Sequence, residues 1–294
     1  MIRKNVKISE TVFDTINYVL LTLLAIVCLY PMIYVLFASV SDYARLMAHE
    51  GILLKPLGFD LSAYENVISN PMIISGYKNT IIVLITGVVI NMLLTIIGAY
   101  FLSRRDVYFK NIIVGMIIVT MYFSGGMVPT YLTVKSIGLD NSLWALILPG
   151  AINTFNLIIM KSGFEAVPHT LQEAAVIDGA GHIVILSKVV LPLAKPVLAV
   201  ICLYYAVSNW NAWFQAAIYL NDREKFPLQL ILREILIAND TRTMTTDAAV
   251  GDTEQIAKTI QYATVIITTV PILAVYPFLQ KYFEKGVLIG AIKG

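Results

Sequence analysis

Six stretches of the chain run for 18 to 25 residues without a Lys, Arg, Asp or Glu: 16–40, 79–102, 112–134, 143–160, 197–220 and 259–280. A helix rises 1.5 Å per residue, so about 20 apolar residues cross roughly 30 Å of hydrocarbon. The pattern predicts an all-α integral membrane protein of six transmembrane helices. The intervening segments leave no room for a large soluble domain, and residues 1–294 are expected to form one membrane domain. Two polar connections carry amphipathic pieces. After Pro227, Leu228, Ile231, Leu232, Ile235 and Leu236 recur at helical spacing with Arg233 and Glu234 opposite, which predicts a helix lying on the membrane or on a neighbour. Residues 61–68 show a weaker version of this pattern.

Composition agrees: 58% of residues are hydrophobic and 14% charged, against roughly 25% charged for a soluble domain. A net charge of +2 offers no basic face for phosphates, which excludes nucleic acid as a partner and leaves lipid as the surrounding medium. Cys28 and Cys202 lie inside apolar stretches and make no disulfide framework. The first stretch follows Arg3, Lys4 and Lys7 but is too long for a signal-peptide core of about 7 to 15 residues, so it is expected to remain as an anchor. The short loop 103–111 carries Arg104, Arg105 and Lys110, whereas the loop after the third stretch carries only Lys135. The positive-inside rule therefore predicts that both termini of this multi-pass chain face the cytoplasm.

The segment between the fourth and fifth stretches, 161–196, falls on that same side. Thr170 and Glu173 form a T-x-x-E spacing suited to a capping box, and Gly179 or Gly181 can end a helix in the left-handed region. A helix of about two turns is expected, with Ala174 and Ala175 giving a slim surface and Glu173 a charge for a basic partner. Pro192 is expected to close a second short helix and turn the chain back to the membrane.

The run Glu173-Ala174-Ala175, then Asp178-Gly179, then Val189-x-Leu191-Pro192 resembles the EAA loop of permease subunits in binding-protein-dependent ABC importers. With Asp178 and Ala180 in place it is similar to the carbohydrate-uptake, MalG-like branch. The segments 121–131, 209–213 and 276–294 look like its LplC/YtcP group. The resemblance implies the ABC type-1 permease fold and one half of a heterodimeric oligosaccharide permease. It further implies an LplB-like second permease, a dimer of cytoplasmic ABC ATPases holding ATP and magnesium, and an extracytoplasmic sugar-binding protein. No cofactor is implied for this chain. Glu173, Ala174, Ala175, Asp178, Gly179, Leu191 and Pro192 are the implied ATPase-coupling residues, and the tail 285–294 is expected to reach between the ATPase subunits. The loop 221–258 is expected to receive the binding protein.

Polar and aromatic side chains within spans tend to face a cavity or another helix. Asn153, Asn156, Asn209, Trp210, Asn211, Trp213 and Gln215 are candidates for a sugar path, since amides bond hydroxyls and aromatic faces pack on sugar rings. The same residues equally suit helix packing, or an interfacial anchor for the two tryptophans. Gly125, Gly126 and Pro129 are expected to interrupt the third span.

Enzyme chemistry finds little support. The chain contains no G-x-x-x-x-G-K-[ST] phosphate loop, its three histidines are scattered, and no apolar stretch holds Asp, Glu or His. A transport subunit is expected, with hydrolysis left to a partner. A secondary transporter or channel normally needs an ionisable coupling group or an inverted repeat in its core, and the charge-free stretches count against it. A permease of the same family for a peptide or amino acid remains the alternative.

Overall fold

The computed structural model describes residues 8–237 and 258–274, and all the regular structure among them is helical. The chain divides into two compact units, one formed by residues up to Asn70 together with Ile235–Thr268, the other centred on Pro71–Glu234.

In the first unit the helix Ile8–Ser39 presents apolar side chains outward along its length, with Leu20 61% and Val27 68% exposed. Such a surface suits lipid, because the helix satisfies its backbone groups internally. Its end packs Ala38 with Leu46 and Leu53, beside Tyr34, Phe37, Leu57 and Tyr262. Tyr262 meets Tyr34 edge-on with centroids 6.1 Å apart. A hydrogen bond of 2.7 Å between the Ser39 and Tyr64 hydroxyls ties in the short helix Ser62–Ser69. The apolar helix Lys258–Ala274 covers most of the sixth predicted stretch, and residues 275–280 lie outside the described residues.

The second unit is built on the 33-residue helix Pro71–Ser103, which packs on Thr154–Glu165 and Lys195–Trp210. Close approach comes from glycine. A Cβ at Gly163 would lie 2.7 Å from Val197 Cγ1, and one at Gly87 would lie 2.5 Å from Asn209 Nδ2. Small residues at such crossings let helices gain dispersion contacts and polar bonds where lipid offers no hydrophobic drive. Between them the Thr95 and Tyr205 hydroxyls share a buried 2.7 Å hydrogen bond.

Only Thr11–Ser39 and Pro71–Ser103 are uninterrupted helices long and apolar enough to cross a membrane among the described residues. The third predicted stretch breaks after Tyr122 and restarts at Met127 with a bend of 108°. The break holds Gly125 and Gly126, the latter at φ +89°, and Pro129 sits in the first turn of the new helix, where its missing N–H costs nothing. The fourth divides into the short helix Trp144–Ile147 and Thr154–Glu165, and the fifth breaks at Asn211 before Trp213–Tyr219.

Three local expectations are resolved. Of the two settings expected for the helix Leu228–Ile237, its apolar face takes a neighbour, the helix Pro71–Ser103: Leu228, Ile231 and Ile235 are 0, 1 and 2% exposed, and Ile231 Cδ1 closes on Gly76. The Thr170 capping box does not form, because the helix begins at His169 with Pro168 as its N-cap and no side-chain cap. Pro192 stands one residue before the end of its helix, which reaches Leu193 through a π-helical Leu186–Val190, and the chain then bends by 87° into Lys195–Trp210, as expected. The wider π turn accommodates a ring that would otherwise clash with the carbonyl four residues back. Pro196, in the first turn of the following helix, then enforces the break.

Candidate functional site

Helix His169–Ile177 ends in a Schellman motif: the Ala180 N–H donates to Ala175 O at 2.9 Å and the Gly179 N–H to Val176 O at 3.0 Å. Gly179 sits at φ +79°, in the left-handed region that glycine enters without a Cβ penalty. Asp178 is the C-cap residue. Glu173, Ala174, Asp178 and Gly179 are exposed, and Ala175 is half-buried against the core. Leu171, Val176, Ile177 and Ile183 are 46, 56, 86 and 83% exposed, an apolar rim around Glu173 that the spacing of the motif alone does not disclose.

This exposed loop rests on a rigid base. Ile185, Val190 and Ala194 are buried with Leu102, Leu157, Met160, Phe164 and Ile201, while Val189 and Leu191 pack on that cluster and Pro192 stays exposed. Two charge clusters fasten its ends. Lys110 and Lys161 donate to opposite oxygens of Glu165 at 2.7 and 2.8 Å. Burial alone raises the Glu165 pKa, but the two lysine hydrogen bonds outweigh it and hold the carboxyl below its usual value. Arg104 grips Asp106 through both carboxylate oxygens, at 2.7 and 2.6 Å, and reaches Tyr100 OH and His182 Nδ1. The hydrogen bond from Arg104 lowers the Asp106 pKa, and the same bond raises that of the guanidinium. Arg104, Asp106, His169, Gln172, Glu173 and Ile177 border a pocket of about 420 Å³ beside the helix. Arg104 and His182 were ordinary loop residues in the sequence; only the fold joins them across 78 positions.

A larger cavity of about 970 Å³ opens among the helices of the second unit. Asn153, Asn156, Asn209 and Gln215 line it, together with Tyr204, Tyr205 and Ser208; Trp210, Asn211 and Trp213 fall outside its wall. Asn153 caps helix Thr154–Glu165, its Oδ1 accepting the Asn156 N–H at 3.1 Å, and its own N–H donates to Tyr205 OH. Asn209 Nδ2 donates to Asn91 Oδ1 at 3.2 Å, and Asn91 Nδ2 in turn serves the carbonyls of Gly150 and Ala151. Asn91 is a polar residue in a predicted span and was open to the same reasoning that singled out Asn209. Asn211 Nδ2 returns to Val207 O within its own helix. Trp210 is 7% exposed, and its Nε1–H has no acceptor among the described residues. Trp213 lies under Arg233, whose guanidinium carbon is 4.2 Å from the ring centroid. Part of the loop 221–258 (residues 238–257) and the tail 285–294 lie outside the described residues. The start of that loop is pinned by Asn141, which accepts from the N–H groups of Asn221 and Asp222 and donates to Asp222 Oδ2.

Residues 104–289 match the family described as the binding-protein-dependent transport system inner membrane component. The chain belongs to this family: it is a multi-pass permease component of an ABC importer, in the cytoplasmic membrane. It is 41% identical, over 97% of its length and all of the relative's, to the polygalacturonan/rhamnogalacturonan transport system permease protein YtcP of Bacillus subtilis. It is 43% identical to the protein LplC of the same organism, over 96% of this chain and 95% of that one. Among solved structures, a bacterial ABC transporter involved in the import of the acidic polysaccharide alginate has a chain that matches with a TM-score of 0.86 at 33% identity, covering 96% of this chain and 100% of that one. The fold of the family is thus established by relatives that span nearly the whole sequence.

Proposed function

We propose that this chain is one half of a heterodimeric permease that imports oligosaccharides, acting with an LplB-like second permease, a dimer of cytoplasmic ATPases and an extracytoplasmic sugar-binding protein. Both termini and the loop 161–196 face the cytoplasm, and residues 1–294 act as one permease domain. The substrate class is argued from relatives named for polygalacturonan, rhamnogalacturonan and alginate. The observation that carries the coupling role is the Schellman-capped helix His169–Ile177, held out from a buried core with Glu173 amid exposed apolar side chains.

In this reading Leu171, Val176 and Ile177 enter an apolar cleft on the ATPase and Glu173 meets a basic group there. Ala174 and Ala175 permit close approach, while Asp178 and Gly179 end the helix. Leu191 and Pro192 belong to the stem that carries the loop. ATP closes the ATPase dimer and draws the two coupling helices together, and the stem transmits this to Lys195–Trp210 and the cavity. Nucleotide and loaded binding protein each bias the same two-state element through contacts that differ between its states. Asn153, Asn156 and Asn209 line the sugar path, with Trp210, Asn211 and Trp213 supporting it from behind.

The test is to tag the chain, solubilise membranes gently and identify the proteins that copurify in stoichiometric amounts, then repeat with Glu173→Lys. A second permease and an ATPase should copurify with the unaltered chain, and the charge reversal should lower saccharide-stimulated ATP hydrolysis at least tenfold without loss of membrane insertion. Recovery of an active homo-oligomer without an ATPase would refute the proposal.

A further inference from the structure

Among the cavity amides, Asn156 alone is buried in the wall with its side chain uncommitted. It is 6% exposed and lies in the first turn of helix Thr154–Glu165. Its backbone N–H is satisfied by Asn153 Oδ1, but its side-chain amide makes no hydrogen bond to any other described residue. Asn153 is spent on the helix cap and Asn209 on Asn91, and Gln215 is exposed. Neither amide atom is sealed from the cavity, so its carbonyl and NH₂ are open to water or to a solute arriving there.

The chemistry of the wall restricts that solute. Among the described residues lining the cavity, none is Lys, Arg, His, Asp or Glu. A carboxylate brought against this wall would leave water without a countercharge, which is costly, whereas a hydroxyl both donates and accepts and so matches both ends of an amide. Tyr204, Phe155 and Phe214, 40, 51 and 47% exposed, add rings on which the apolar face of a sugar can pack.

We infer that Asn156 is a specificity-determining residue of transport, its side-chain amide reading an uncharged sugar hydroxyl, while any carboxylates of the same saccharide are received elsewhere in the complex. The inference deepens the proposed function and rests on it. It separates Asn156 from its neighbours: removing Asn209 disturbs helix packing, whereas removing the Asn156 amide leaves no protein group unpaired.

The test uses the whole complex in proteoliposomes, supplied with a panel of oligogalacturonates, rhamnogalacturonan fragments, alginate oligosaccharides and maltodextrins. With the saccharide taken up fastest, Asn156→Ala, Asn156→Ser and the control Thr15→Ala are compared for uptake, basal ATP hydrolysis and recovery of the second permease. Asn156→Ala should lower uptake about tenfold, the scale of one hydrogen bond lost to a buried site. Basal hydrolysis and subunit recovery should stay within twofold, and Thr15→Ala, whose exposed hydroxyl bonds Thr11 O within its own helix, should match the unaltered chain. Asn156→Ser should lose less than Asn156→Ala, because a hydroxyl still donates to and accepts from a sugar hydroxyl. Unchanged uptake by Asn156→Ala would overturn the assignment. A Ser variant worse than the Ala variant would overturn it as well, and loss of the second permease would make Asn156 an interface residue. If the unaltered complex takes up no member of the panel although its ATPase and second permease copurify, the sugar reading itself fails and this assignment with it.

Discussion

Gly179 offers the sharpest test of how the loop works, because its role can be divided between backbone and contact. At φ +79°, with no other atom within 4 Å of where a Cβ would stand, an alanine there meets no clash within the chain. Its whole cost is the left-handed conformation, about 1–2 kcal/mol for an L-residue. That corresponds to a factor of about 5 to 30 in the population of the capped loop. Asparagine tolerates the left-handed region better than alanine, so Gly179→Asn should cost less despite its larger side chain. Valine, branched at Cβ, should cost more than alanine. The assay is saccharide-stimulated ATP hydrolysis and uptake by the reconstituted complex, with subunit stoichiometry as control, and the expected order is Gly, Asn, Ala, Val. If the ATPase instead needs bare backbone at this point, size decides and Asn falls below Ala. An alanine variant as active as the unaltered chain would refute the claim that the Schellman cap orders the loop.

Gly163→Ala should cost about 1–3 kcal/mol, since its Cβ would sit 2.7 Å from Val197 Cγ1; thermal unfolding in detergent measures the loss, and Val197→Ala in the same chain should restore part of it. Glu165→Gln should lower stability by roughly 1 kcal/mol, given that the carboxylate is 33% exposed and water screens both lysine bonds. Because the native Glu165 pKa is depressed, its contribution is complete above the unfolded value and is lost as pH falls through the native one. The unaltered protein and Glu165→Gln should therefore differ in stability by the same amount from pH 6 to 8 and converge only in acid; a difference that changed across neutral pH would contradict the depressed carboxyl.

Charge-free runs of helical length fixed the class of this protein from its sequence, because lipid leaves a buried backbone little choice but helix. The loop carrying Glu173, Ala174, Ala175, Asp178 and Gly179 was equally legible. Its helix and glycine stop depend on neighbours within a few residues, and Gly179 adopts the expected left-handed conformation. The details left open were those whose outcome depends on distant groups. The apolar face after Pro227 suited lipid and a neighbour alike until Gly76 offered it a place inside the protein. The π turn ahead of Pro192 is likewise not announced by the sequence, although the helix does end one residue past that proline. Hydropathy could not divide the amides either, since Asn153, Asn156, Asn209 and Asn211 look alike along the chain. Only the positions of Asn91, Val207 and the Asn153 cap show which side chains are already hydrogen-bonded, leaving Asn156 with an open amide on the cavity wall. The joining of Arg104 to His182 is likewise invisible in either segment, because a contact between residues 78 positions apart exists only once the helices beneath them have packed.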